Sequence, residues 1–232
     1  MFADKIIEFL TRLEYKGQLP RGIKIMNPYR DNPLILPVIS HFYHKFYNDN
    51  NPRHIILGIN PGRFGAGVTG IPFTDSKRLS EKCGLSIAGI NTFETSSVFI
   101  YEMIDAFGGV NEFYNKFFIS AVCPLGFTSP GSNNKSVNYN YYDDRDLTES
   151  MVDFITDNLV RQIDFGIDRD TCFCLGTGKN YKFLDKLNNE LRLFGKIIPL
   201  EHPRFIMQYK SKQKLSFINK YLQEFSNVIN HK

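Results

Sequence analysis

Asn60 is an amide placed where an apolar run breaks off. The stretch "HIILGINPGRFGAGVTGIPF", residues 54–73, follows it with four glycines, two prolines and a closing Phe73. Glycines just after a strand let a backbone come close to a ligand, and bare N–H groups there suit a phosphate. The known phosphate motifs fail, however. A P-loop needs G-x-x-x-x-G-K-[ST], and "GINPGRFGAG" has no such lysine. The dinucleotide fingerprint must open a helix, which Pro61 and Pro72 obstruct. A second chemical segment is "EHPRF", where the His202 imidazole precedes Pro203 and Arg204. The residues alone leave a structural Gly-Pro turn and an anion cradle for a phosphorylated small molecule both open.

What must position these groups is a set of alternating strands and helices. Strands are expected at "RHIILGIN", "KFFISAVCPLGF", "TCFCLG" and "KIIPL", with helices between and after them. "SSVFIYEMIDAFGG" reads as a helix stopped by Gly108 and Gly109, and "SKQKLSFINKYLQEFSNVI" as the closing helix. The pattern predicts a three-layer α/β/α fold around a central four-stranded, mainly parallel sheet. Ligands of such sheets sit at the carboxyl ends of the strands. "GINPGRFG", "CPLGF" and "EHPRF" all fall on that rim. Residues 1–232 read as a single domain, with a helical N-terminal extension over about residues 1–50. In it Ile6, Ile7, Leu10 and Leu13 share a face. "KGQLPRGIKIMNPYRDNP" and "TSPGSNNKSVNYNYYDD" read as loops.

A chain of 232 residues buries a sizeable core without disulfide or metal staples. Net charge is +4 and pI about 8.8, which suits an enzyme touching a few phosphates better than a sequence-independent DNA coat. Aromatic residues make up 14%, enough to supply stacking platforms beyond the core. Cys83, Cys123, Cys172 and Cys174 form no C-x-x-C pair and read as buried thiols in a reducing compartment. His41 and His44 have no third ligand in view, so no metal is expected. "MFADKIIEFL" is no signal peptide, and no run of about 18 apolar residues spans a membrane, which points to the cytoplasm.

The order of residues carries something narrower. Gly58, Asn60, Pro61, Gly62, Phe64, Gly65, Thr69, Gly70, Pro72 and Phe73 stand in the register of G-x-N-P-G-x-F-G followed by T-G-x-P-F. This resembles the first motif of the uracil-DNA glycosylase superfamily, nearest to a divergent branch of the single-strand-selective monofunctional uracil-DNA glycosylases. "EHPRF" is similar to the family's second motif, a His-Pro opening a DNA-intercalating loop. "NPY" and "CPL" match further landmarks, and the resemblance covers about residues 25–222.

The resemblance implies a monofunctional enzyme of base excision repair, without cofactor or metal, acting as a monomer on DNA that carries a deaminated base. Loss of a base builds positive charge on the sugar and negative charge on the base, and the base must first be flipped out. Asn60 would aim a water and His202 would hydrogen-bond the departing base, making these two the catalytic residues. Ile59, Gly62, Phe64, Phe73 and Ser120 would line the base, with Phe73 stacked on it. Arg63, Pro203, Arg204 and Lys210 would meet the DNA, and Ile206, Met207 or Tyr209 would wedge into it. One departure matters. The family's base-reading asparagine, two residues before "CPL", is here Ala121. Either Ser120, a backbone group, or Asn133, Asn134 or Asn138 takes over, or the base specificity differs, with xanthine and hypoxanthine open as substrates. Asn60→Ala and His202→Ala are expected to abolish most activity with stability little changed. The alternative is a non-catalytic nucleic-acid or nucleotide binder on the same fold.

Overall fold

The computed structural model describes residues 1–131 and 135–230. In chain order its elements are α1 (Phe2–Thr11), β1 (Lys24–Met26), α2 (Pro28–Asp31), α3 (Ile35–Phe46), β2 (Arg53–Gly58), α4 (Ala66–Thr69) and α5 (Ser76–Cys83). Then come α6 (Thr95–Phe107), α7 (Val110–Lys116), β3 (Phe117–Ala121), β4 (Gly126–Pro130), β5 (Ser136–Tyr139) and α8 (Arg145–Ile163). The chain closes with β6 (Ile167–Leu175), α9 (Lys179–Leu191), β7 (Lys196–Leu200), α10 (Pro203–Tyr209) and α11 (Lys214–Ile229).

The central sheet has the order β3-β2-β6-β7, and every neighbouring pair is parallel. Its inner strand β2 reads "RHIILG" and is buried along its whole length, as a strand covered by helices on both faces must be. Arg53 is tolerated there because Asp49 pairs with its guanidinium, which also lies 5.0 Å from the Phe2 ring. From β2 the chain turns to β3 on one side, then later to β6 and β7 on the other. The strand order therefore reverses between β2 and β6, and a crevice opens at their carboxyl ends.

Helix α1 buries Phe2, Ile6, Phe9 and Leu10 in the same core, with Phe2 edge-on to Phe118 of β3. His44 bonds Asp4 at 3.0 Å, tying α3 to α1. The four cysteines are buried, and burial pushes the Cys83 thiol up to about 11 and Cys123 to about 12. Among the described residues no helix is long and apolar enough to cross a membrane.

Three segments differ from the sequence expectation. The two stretches read as loops contribute β1, β5 and the end of β4, whose first residues Gly126 and Phe127 close the run expected as one strand with β3, and the three form an antiparallel sheet of order β1-β4-β5. These strands are three to five residues long and partly polar, so their pairing is set by the body they pack against rather than by their own periodicity. The third is "PRFIMQY", expected as a loop. It is helix α10, with Pro203 at the first position, where a missing N–H costs nothing, and Ile206 buried.

Candidate active site

A cavity of about 480 Å³ lies at the reversal point, within the range of small-molecule pockets. Asn60, Gly62, Phe73, Ser120 and His202 all line it. The expected catalytic pair, 142 positions apart in sequence, is thus brought to one hollow.

Asn60 sits just past β2, and its side chain is fixed from the second sheet. Its Nδ2 donates to the carbonyl of Tyr139 at 3.2 Å and to that of Pro61 at 3.4 Å. Its Oδ1 accepts from the Tyr141 N–H at 3.1 Å. Both amide protons are spent on carbonyls, which defines the oxygen and leaves it one lone pair for a water. Tyr141 is held in turn, because its hydroxyl donates to Asn180 Oδ1 at 2.9 Å. Asn180 opens α9 and donates to the carbonyls of Leu175 at 3.1 Å and Gly58 at 3.4 Å. A buried network therefore runs from the ends of β2 and β6 to the amide, and it restricts the amide to one orientation.

Phe73 adopts φ 51°, a left-handed conformation rare for a bulky side chain. Such a residue costs about 1–3 kcal/mol and persists only where its surroundings over-determine it. Here Thr69 Oγ1 donates to the Thr74 carbonyl at 2.6 Å and accepts from the Ile71 N–H at 3.2 Å. Thr74 Oγ1 bonds the Tyr101 hydroxyl at 3.0 Å on the other side. The Phe73 ring is pressed onto Gly58, where any Cβ would stand 2.7 Å from Cε2. That answers for Gly58: its missing side chain makes room for the ring.

His202 caps α10, and its ring lies 5.6 Å from that of Phe73. The Arg204 N–H donates to His202 Nδ1 at 3.1 Å. Nδ1 is then the acceptor, so the neutral ring carries its proton on Nε2. Burial, and then the Arg204 guanidinium, push its pKa down to about 4. At neutral pH the ring is an uncharged donor.

Gly62 and Gly65 are explained by Glu94, which the sequence did not single out. A Cβ at Gly62 would stand 2.8 Å from Glu94 Oε1, and one at Gly65 would collide with Oε2. The carboxyl thus lies over the glycine turn, and it lines the cavity. Burial, then Asp75, raise its pKa to about 7, against the pull of Arg204. Asp75 is buried, caps α5 through the Arg78 N–H at 2.8 Å, and takes the Glu94 N–H at 2.7 Å.

The remaining expected residues divide. Ile59 lines the cavity. Ser120 does too, but its hydroxyl proton goes to Gln162 on α8, which leaves it only an acceptor to offer. Asn138 lines the cavity with Oδ1 engaged by the Arg63 N–H at 2.9 Å, leaving Nδ2 toward the Gly62 side. Asn133 and Asn134 lie outside the described residues. Phe64 is a correction: its ring is 47% exposed and stands outside the cavity, 4.3 Å from the Arg63 guanidinium. The Gly62 carbonyl accepts from the N–H groups of Gly65 and Gly67, and this tight turn throws residues 63 and 64 outward. Pro203 is buried, whereas Arg204 and Lys210 are exposed and, among the described residues, in no ion pair. Of the three wedge residues, Ile206 is fully buried and cannot leave the core, while Tyr209 is 66% exposed at the cavity mouth beside Phe205.

Residues 44–226 match the family described as the uracil DNA glycosylase superfamily. The chain belongs to that superfamily. The glycosylase is also similar to a solved structure, wild-type SMUG2 of Pedobacter heparinus, with 54% identity, a TM-score of 0.96, and coverage of 99% of this chain and 98% of that one. No curated protein matches. The family resemblance carried by residues 58–73 is borne out, and so is the α/β fold with its parallel four-stranded sheet. As a member the chain is a DNA glycosylase, a hydrolase acting on DNA.

Tyr141, Asn180, Glu94 and Asn140 are among the cavity or clamp residues that sequence reading missed. The cluster "NYNYYDD" was a weak signal, since aromatic and amide residues crowd it within a segment otherwise read as loop. Nothing marked Glu94.

Proposed function

We propose that this glycosylase is monofunctional and hydrolyses the N-glycosidic bond of a flipped deaminated base, leaving an abasic site. Uracil is one substrate, and xanthine and hypoxanthine are others. The observation that carries this reading is the arrangement around one cavity: a fixed amide oxygen at Asn60, an Nε2–H donor at His202, and the Phe73 ring between the strand end and the imidazole.

The base stacks on Phe73, a contact contributing about 1–3 kcal/mol. A water bound to Asn60 Oδ1 lies at the sugar. As the glycosidic bond breaks, its electron pair moves onto the base, and His202 Nε2–H hydrogen-bonds the carbonyl where that charge collects. A preorganised donor of this kind contributes about 3–4 kcal/mol. Asn60 is too weak a base to deprotonate water early, which a dissociative transition state tolerates because the sugar is already cationic. Strand cleavage through a Schiff base would need an amine, and no lysine lines the cavity among the described residues. Asn138 supports a wider base range, as an amide that stands in the cavity where Ala121 offers only a methyl group.

The test is incubation with end-labelled oligonucleotides carrying uracil, xanthine or hypoxanthine, followed by alkali. Strand breaks at the damaged position only after alkali are expected. Breaks before alkali would overturn monofunctionality, and no breaks at all would leave a DNA-binding protein without base release.

A further inference from the structure

Glu94 is a titratable group in the cavity that the mechanism above does not use. It stands at the head of α6, yet its side chain does not cap that helix. Its backbone is held by Asp75, and the absent side chains of Gly62 and Gly65 provide the room its carboxyl occupies. Among the described residues the carboxyl makes no hydrogen bond and no ion pair, although it lies partly buried on the cavity wall. A carboxyl withdrawn from water without a partner is costly unless a ligand supplies one.

The glycine turn follows Asn60 directly. A base whose sugar lies at Asn60 therefore brings one flank of its glycosidic nitrogen against this turn. On uracil one flank is the carbonyl that meets His202, and the other bears only C–H groups. On a purine the second flank presents C8–H and then N7, a hydrogen-bond acceptor that uracil lacks. Resting on the glycosylase reading, we propose that Glu94 is a further base-contacting residue, hydrogen-bonding N7 of deaminated purines across the space left by Gly62 and Gly65.

The contact requires the protonated carboxyl, since N7 only accepts. The charged and titratable groups around Glu94 are Asp75, which caps α5, its ion-pair partner Arg78, and His202 and Arg204 at the head of α10. Burial and Asp75 favour the proton, Arg204 opposes it, and the balance near 7 keeps a large share of Glu94 neutral at physiological pH. The contact also helps the purine depart, because a donor at N7 stabilises charge gathering on the leaving ring.

Single-turnover base release by wild type, Glu94→Gln and Glu94→Ala tests this on uracil, hypoxanthine and xanthine oligonucleotides, with thermal unfolding of each protein alongside. The alanine variant is expected to slow purine release about tenfold more than uracil release, the worth of one hydrogen bond to a buried group. The glutamine variant, which keeps a donor in the same shape, is expected to recover most of the purine rate. Wild-type purine release should fall as pH rises through about 7, and that fall should vanish in the glutamine variant. Equal slowing of all three bases by alanine would make Glu94 a support for the glycine turn and overturn the proposal. A glutamine variant no better than alanine would also overturn it. Wild type acting on uracil but on neither purine would overturn the proposal while leaving the glycosylase reading intact, and wild type releasing no base would overturn both. Should alanine cost the fold, the isosteric glutamine variant and its pH profile still decide.

Discussion

The two halves of the cavity rim are built on opposite terms. The Asn60 half is clamped: three hydrogen bonds tie its amide to Pro61, Tyr139 and Tyr141, and Asn180 anchors that clamp to the ends of β2 and β6. The His202 half is carried on α10, a seven-residue helix with Ile206 inward and Phe205 and Tyr209 outward. The His202 ring accepts one backbone bond there at Nδ1, and among the described residues its Nε2 makes no hydrogen bond. The contrast assigns the work. On the proposed mechanism the amide would hold a water at one point before any DNA arrives, while the imidazole would meet a base that α10 would help to extract.

That difference can be broken by substitution, starting where the effect is largest. Asn60→Ala and His202→Ala should each lower single-turnover uracil release by about 10²–10³-fold, as expected for losing a preorganised transition-state contact. Stability should separate them. Asn60→Ala strands the Tyr141 N–H and two carbonyls, a loss of about 1–3 kcal/mol, and should lower Tm by several degrees. His202→Ala should barely move Tm. Stability was expected to change little in both, and the clamp revises that for Asn60. Equal Tm values would erase the contrast between the two halves.

A smaller effect concerns base reading. Asn138→Ala should reduce discrimination among bases by about 1–3 kcal/mol while leaving α10 and DNA affinity intact, read as the ratio of single-turnover rates on uracil and normal cytosine. The pH dependence sharpens the His202 side. Because its pKa is pushed down to about 4, the neutral donor persists through the neutral range, and uracil release should decline only as pH approaches 4. The sign for stability is the same: protonation is favoured in the unfolded chain, so stability present above about 6.5 is lost as pH falls toward 4. The smallest expected effect is at the exposed edge. Arg204→Ala should weaken DNA binding uniformly across sequences and reduce the salt slope by about one.

The clamped half and the parallel sheet were unequally legible in the sequence. The strands of the sheet announce themselves, because "RHIILG" and "TCFCL" are apolar runs that only a doubly covered sheet accommodates. Asn60, Phe73 and His202 were legible through motif order. The clamp was not. Tyr139 offers a carbonyl and Tyr141 an N–H, and backbone groups leave no trace in residue type. Strands β4 and β5 are too short and polar to show a period, so a loop reading was the natural one. Phe64 misled for a related reason: its place in the motif suggested the cavity, but the turn closed by the Gly62 carbonyl sends its ring to the surface. Glu94 was invisible because its approach to Gly62 and Gly65 spans about thirty residues of sequence and depends on Asp75 holding its backbone.

The most direct measurement is a crystal structure of the protein with an oligonucleotide carrying 2′-fluoro-2′-deoxyuridine, whose electron-poor sugar resists loss of the base. The proposed mechanism predicts the uracil flipped into the cavity, its face on Phe73, a carbonyl within hydrogen-bond reach of His202 Nε2, and a water between Asn60 Oδ1 and the anomeric carbon. A uracil still stacked in the DNA, or seated where His202 and Asn60 cannot both reach its nucleotide, would contradict it.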